Sequence, residues 1–376
     1  MNTTVATTAC EAFAEIRAEV YEGRQVMTKT SLAHLRAHAI SRSLFRPGTL
    51  KAAIHRLAFV QADPIRSPAR AQDLILRHRV NGYRAGDLER RYPDLDIEED
   101  FLYAYGFLPR KVWRLLHPRQ QTGLPALAKK VHDIVGKFGE MHPKDLEAHL
   151  GRQRVINAWG GYSKATTRAL EDLHYRGLLR ITRRENGIRI YATAPPIGEL
   201  VYSPERLSKL IMVVANILAP IPEKSLYATI SRFRRLGNPR AAVDQLLQMG
   251  ELQKAAADGV TYLWPTSRVD RDAVPRTVRL LAPFDPLVWD RRRFEHFWGW
   301  PYRFEAYTPP AQRIRGYYAM PLLWGDLIIG WGNVRVVGGK LDVALGFVNN
   351  RPRDPAFRSE LEAEIENMRA FLGMGE

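Results

Sequence analysis

Gln61, Ala62 and Asp63 close a short apolar run, LAFVQAD, at the Asp63-Pro64 pair. Read as a strand, the run alternates so that Gln61 and Asp63 fall on the same side and project an amide and a carboxylate together. Such a pair can hold a water molecule and take its proton. The plainer alternative is that Asp63 caps the turn before Pro64 while Gln61 bonds to backbone. Other chemistries lack their residues. The single cysteine, Cys10, permits no intramolecular disulfide and no cysteine zinc site, and the ten histidines show no HExxH-like spacing, so neither a metal nor another cofactor is expected. There is no phosphate-binding glycine loop, no GxSxG elbow and no dinucleotide fingerprint.

A second constellation is cationic. The stretch Ser163 to Tyr191 carries seven Lys/Arg against three Asp/Glu, leaving about +4 for contact with a phosphate backbone. Ser163 reads as a helix N-cap, and Leu170, Leu173 and His174 mark the buried stripe. Lys164, Thr166, Thr167 and Arg168 then face outward near a helix start, where free N–H groups favour phosphate. Gly177 stops the helix. The runs LLRITRR and IRIYAT alternate about Asn186-Gly187, a strong hairpin signal, and place Arg183, Arg184 and Arg189 on a basic wing. Phosphate contact is favoured over base readout, and a merely solvated basic face is the bland alternative. Arg313 and Arg315, in PPAQRIRGYY, read as a further hairpin that either probes a groove or simply pairs as sheet. Arg291 to Arg293 add charge after LAPFDPLVWD. Phe284, Trp289, Trp298 and Trp300 are read as core before base-stacking platforms.

The elements that must position these groups follow in order. SLAHLRAHAI and PGTLKAAIHRL read as helices ahead of the motif. PALAKKVHDIVGKF and HPKDLEAHL precede the basic helix and wing. SPERLSKLIMVVANIL, EKSLYATISRFRRL and PRAAVDQLLQMG then repeat that plan and lead to a hairpin turning at Asp258-Gly259. Gly177, Gly187, Tyr191 and Pro195 align with Gly250, Gly259, Tyr262 and Pro265, an internal repeat. Lys254 is the only basic residue on the third wing, which argues for packing there. Beyond Pro275, TVRLLAP, YRFEAYTPP, RIRGYYAMPLLWG, DLIIGWGNVRVVGG and KLDVALGFV read as strands of a small barrel or curled sheet, before a closing helix. The 376 residues carry a net charge of +16, which calls for an extended polyanion. No apolar run reaches the roughly 18 residues of a membrane span, and the start of the chain lacks the pattern of a signal peptide, so a cytoplasmic location is expected.

LAFVQADPI, NAWGGYSKATTRALEDLHYRGLLRI and above all the Trp-, Phe- and Pro-rich LAPFDPLVWDRRRFEHFWGWPYRFEAYTP resemble the AlkZ/YcaQ-type winged-helix DNA glycosylases over roughly residues 30 to 350. That resemblance implies three winged helices and a C-terminal β-barrel lining a concave DNA-binding face. It also implies excision of alkylated purines, interstrand crosslinks included, by a Gln-x-Gln or Gln-x-Asp motif. Carried over by position, Gln61 and Asp63 are the catalytic pair. Ala62 stands where the family has a larger aliphatic residue, Gln72-Asp73 where two histidines are expected, and FLYAYGFLP where a Trp-Ser-His-Ala-like run is expected. These departures describe a divergent subfamily.

The expected fold is mainly α with β: an N-terminal extension (1–28), a winged-helix-like domain with the catalytic motif (29–120), two further winged-helix domains (121–200 and 201–270), and a C-terminal β-barrel-like domain with a terminal helix (271–376). The expected activity is monofunctional N-glycosidic hydrolysis in base excision repair, since no Lys adjoins the motif to form a Schiff base. The expected partner is damaged double-stranded DNA, bound by a monomer at the nucleoid, with no membrane. The alternative is a non-catalytic winged-helix DNA-binding protein such as a transcriptional regulator, which needs no exposed carboxylate and usually dimerises on palindromic sites.

Overall fold

Ser31 and Thr49 open the first two helices, Leu32–Ser43 and Leu50–Leu57, with side-chain oxygens that accept from His34 N and Ala52 N. Ala58, in the left-handed region at φ 61°, ends the second and turns the chain into the strand Val60–Gln61. This strand pairs antiparallel with Tyr105–Pro109, which pairs with Ile97–Phe101. The computed structural model describes residues 28–119, 123–151, 154–156, 162–198, 202–266 and 274–374. Cys10, the N-terminal extension up to residue 27 and the expected domain junctions near 120, 200 and 270 lie outside the described residues. Among the described residues the chain forms fourteen α-helices and five sheets, none larger than four strands.

The second segment has helices Ala126–Phe138, Pro143–Leu150 and Ala165–Tyr175, a strand pair Arg154–Ile156 with Tyr162–Lys164, and the hairpin Leu179–Glu185 with Ile188–Thr193. Asn186 (φ 51°) and Gly187 (φ 83°) turn that hairpin, both in the left-handed region that a two-residue turn of this kind requires. Its apolar core, including Val131, Leu146, Leu170, Leu173, Ile181 and Tyr191, is made within the segment. Ser163 is not the N-cap. It lies in the strand Tyr162–Lys164, and Lys164 takes the cap position without a side-chain hydrogen bond.

The third segment repeats the order with Ser203–Ile217, Glu223–Ile230, Pro239–Gln248 and the hairpin Leu252–Ala257 with Val260–Pro265. Asp258 (φ 44°) and Gly259 (φ 79°) turn it. This hairpin is flanked on both sides, by Thr28–Lys29 and by Ile221–Pro222, and Lys254 pairs with Glu223 at 3.0 Å, in keeping with a packing role.

The C-terminal sheet runs Val278–Leu280, Met320–Trp324, Leu327–Val337, Lys340–Phe347, all antiparallel. It is an open half-barrel and not a closed one. YRFEAYTPP forms no strand, because Pro301, Pro309 and Pro310 cannot donate to a ladder. PPAQRIRGYY forms no hairpin either: a single 3-10 turn, Pro310–Gln312, is followed by bends. The long hairpin comes later, turning at Gly338-Gly339 with Val336 and Val337 at least half exposed at its tip.

Unlike the second segment, the others share cores. The final helix, Pro355–Phe371, capped by Asp354, sends Phe357, Leu361, Met368 and Phe371 into one apolar cluster with Ile54, Val60, Leu74 and Ile75. Phe59 and Trp113 pack with Leu210, Val214 and Leu226 of the third segment. The strand that carries the motif is therefore backed by the final helix and by the third segment, and burial of this apolar surface fixes it.

Candidate active site

Gln61 lies directly opposite Gly106 in the register, and Ala62 N donates to Tyr105 O at 2.9 Å. Only glycine fits at 106. A Cβ there would sit 2.3 Å from Val60 O and 2.7 Å from the Phe59 ring. The strand ends at Gln61, so alternation does not carry through to Asp63; the carboxylate leaves the sheet on a turn. Its Oδ1 accepts from Ile65 N at 2.9 Å, as the plainer reading of a turn cap expected. Oδ2 has no hydrogen-bond partner among the described residues. Gln61 Oε1 is likewise buried with no partner among them. Burial pushes the half-buried Asp63 carboxyl above its ordinary range, partly countered by the Ile65 hydrogen bond.

Ala62, next to Asp63, packs against the apolar cluster that holds Tyr318, Phe304 and Phe284, an aromatic wall from the C-terminal region. Burial raises the phenols of Tyr318 and Tyr307, and Asp63 is the next contributor to each. Phe304 joins them, its ring 5.3 Å from Tyr318 at 89° and 6.1 Å from Tyr307 at 78°, with Phe284 behind it at 5.0 Å. Glu305, 6% exposed, ties this loop by accepting from Arg315 N and Gly316 N. Gly316 (φ 118°) leaves room for Asn333, whose amide donates to Arg315 O. Tyr307 and Tyr318 were not singled out from the sequence, because the runs containing them have the spacing of strands.

The cationic residues divide. Arg168 and Lys164 are exposed, and Lys164 pairs with Glu147. Thr167 is half-buried. Thr166, expected to face outward, is buried at 3%, because the helix begins at Ala165 and turns that position into the core. On the wing only Arg183 faces solvent, paired with Glu140 and Glu185. Arg184 and Arg189 turn instead toward the first segment: Arg184 hydrogen-bonds Glu99, and Arg189 lies 4.5 Å over the Tyr105 ring. The reason is a row of buried acids, Glu98, Glu99 and Asp100, in the strand Ile97–Phe101. Glu98 binds Arg180 and Arg110, and Asp100 binds His117 and Arg119.

The hairpin expected to carry Arg313 and Arg315 does not form. Without a hairpin to carry them outward, Arg313 donates to Thr308 O and stacks on Tyr317, while Arg315 lies over Trp300 beside Glu305. Arg293 is buried against carbonyls of Leu218 and Pro286, and Arg291 lies over Tyr302. Trp300 is buried, and Trp289 and Trp298, partly buried, pack against the apolar clusters, in line with the core reading. Gln72 and Asp73 are buried, and Asp73 accepts from Tyr83 OH and Gly86 N, so it orders the loop that follows. A separate cavity of about 670 Å³, between Arg77–Arg84 and the final helix, does not have Gln61 or Asp63 in its lining.

Among the described residues no helix is long and apolar enough to cross a membrane. No solved structure matches the chain. The family model for AlkZ-like DNA glycosylases matches residues 54–371, a span that holds Gln61, Asp63 and the whole aromatic wall. With that match over most of its length, the chain belongs to the DNA glycosylase AlkZ-like family.

Proposed function

We propose that the protein is a monofunctional DNA glycosylase that hydrolyses the N-glycosidic bond of alkylated purines, crosslinked ones included, while bound to damaged duplex DNA as a monomer at the nucleoid. The observation that carries the reading is the half-buried Asp63, with one oxygen committed to its turn and one open, beside the unpartnered Gln61 Oε1 and the aromatic wall. An N-alkylated purine is already cationic and leaves as a neutral base, so no general acid is needed. The enzyme must stabilise an oxocarbenium-like sugar and supply water. The open carboxylate oxygen does both, and its apolar surroundings strengthen its field at the sugar. Gln61 orients the water.

The second and third segments are read as winged helices, from their order of three helices and a tight hairpin. The second holds the duplex through Arg168, Lys164 and Arg183. The Asx-type turn at Asp63 is what a purely structural aspartate would also make, and it favours the second reading, a non-catalytic DNA-binding protein. The deciding experiment is incubation with duplexes carrying 7-methylguanine, 3-methyladenine or an interstrand crosslink, followed by alkaline cleavage of abasic sites. Strand cleavage dependent on Asp63 is expected. Intact strands from all three substrates would leave only the binding reading.

A further inference from the structure

The final helix, Pro355–Phe371, lies along the outer strand of the C-terminal sheet, Val278–Leu280, and Glu364 accepts from Leu280 N at 2.8 Å. Arg77 donates to the same carboxylate and to Leu280 O, and His78 Nε2 lies 3.0 Å from that carbonyl. All three side chains belong to residues that line the cavity of about 670 Å³, a volume in the range of small-ligand sites. Glu360, Ala363, Glu364, Asn367 and Ala370 recur at three- and four-residue spacing, so one face of the helix forms its wall. Ala363 and Ala370 are too small to fill the space. Arg77 and Glu364 neutralise each other. Arg279 and Glu360 line the same cavity, and neither has an ion pair or a side-chain hydrogen bond among the described residues. Arg84, in the loop that lines it, is likewise without one.

We propose that this cavity binds a nucleoside monophosphate, its phosphate on Arg279 and Arg84 and an N–H edge of its base on Glu360. A cation and a carboxylate that line one space without closing on each other leave a place between them. The ligand that fits carries an anionic group and hydrogen-bond donors together. Its phosphate supplies the charged acceptor that the half-buried Arg279 guanidinium lacks. Glu360 repels a bare anion, which tells against free phosphate and against a run of DNA backbone. Guanine suits the carboxylate best, because its N1–H and N2–H donors lie side by side. Val80 and the Phe371 ring, with Tyr83 stacked on it at 6.3 Å, give the base an apolar surface. The site is separate from Gln61 and Asp63 and does not rest on the glycosylase reading.

Calorimetric titration of the full chain with GMP tests the proposal. Saturable binding is expected, with guanosine and inorganic phosphate each at least about tenfold weaker, since each lacks half of the contacts. Arg279→Gln should weaken GMP binding at least about tenfold. Ala363→Leu keeps a good helix former at an exposed position and occupies the space. It should abolish binding and leave the melting temperature of the free protein unchanged, and it decides the matter if Arg279→Gln does not fold. Asp63→Asn should bind GMP like the wild type. No binding, guanosine or phosphate binding as tightly as GMP, or wild-type binding by Ala363→Leu overturns the proposal. Loss of GMP binding in Asp63→Asn would put the nucleotide in the proposed active site, and displacement of GMP by an undamaged duplex would make the cavity a DNA contact; either result overturns it. Failed excision on every lesion leaves this inference standing, and failed GMP binding leaves the glycosylase reading standing.

Discussion

Arg184, on the wing of the second segment, donates through Nε to Glu99 Oε1 at 2.9 Å, joining two elements that lie 85 residues apart. Glu99 also accepts from Tyr105 OH at 2.7 Å, and Tyr105 O accepts from Ala62 N, the residue between Gln61 and Asp63. The wing is thus linked by three hydrogen bonds to the backbone of the proposed catalytic motif. Because the second segment keeps its apolar core to itself, this polar seam does much to fix its position.

Glu99→Gln tests the seam. Burial alone would raise the Glu99 carboxyl, but the Arg184 hydrogen bonds and charge outweigh it and bring it below its ordinary value. Losing the charge leaves Arg184, whose side chain is 17% exposed, without a counter-ion. Breaking a fully buried pair costs about 3–5 kcal/mol, and partial access to water places this one at about 2–3 kcal/mol. Urea denaturation should show that loss, and excision should slow although Asp63 is untouched. A depressed carboxyl contributes stability above its unfolded value, and that contribution disappears as pH falls through the folded one. The wild type should therefore lose stability below about pH 4, and Glu99→Gln should lose less of it there.

Asp63→Asn should separate activity from stability in the opposite sense. The raised folded pKa means the native state holds the charged form at a cost above the unfolded value. Asparagine removes that cost and keeps an oxygen for Ile65 N. Excision should vanish while DNA affinity is kept and the melting temperature stays level or rises. In the wild type, single-turnover rates should climb with pH through a midpoint above 3.8, the ordinary aspartate value. A midpoint at or below that value would remove Asp63 as the base.

Gly106→Ala should misplace the motif without altering either of its polar residues. The new methyl meets Val60 O and the Phe59 ring, and neither is a flexible side-chain end. A shift of the Val60–Gln61 strand is the only relief. Overpacking of this kind costs about 1–3 kcal/mol. Calorimetry should show a destabilised but folded protein, with excision reduced more than duplex affinity.

The turns were legible in sequence because Asn186-Gly187 and Asp258-Gly259 are among the few pairs that accept positive φ at both positions. Gln61 and Asp63 were legible as a pair of types, although the strand proved too short to set their facing. The aromatic wall was not. Tyr307, Arg313, Arg315 and Tyr318 sit in runs that alternate like strands, and it is the prolines and the distant Glu305 and Asn333 that fold them into a loop. The acids Glu98 to Asp100 were not legible either. Three successive carboxylates ordinarily mean a solvated face, and only arginines and a histidine from both sides of the chain make their burial tolerable.

Arg168→Ala with Arg183→Ala tests the surface left for DNA. Arg168 is exposed and the Arg183 side chain is 41% exposed beside the surface acids Glu140 and Glu185, whereas Arg184 and Arg189 are turned into the seam. If each of the two meets one phosphate, the log–log salt dependence of duplex affinity should flatten by about 0.9 per contact, close to 2 in all. The loss should be similar for lesion-bearing and undamaged duplexes, since phosphates carry no lesion signal. Single-turnover excision at saturating protein should stay near wild type, because neither arginine belongs to the proposed catalytic pair. An unchanged salt slope would place the duplex elsewhere. The candidate face would then be the Gly338-Gly339 hairpin tip with Arg335, which reaches solvent from the half-barrel, and removing that arginine should flatten the slope instead.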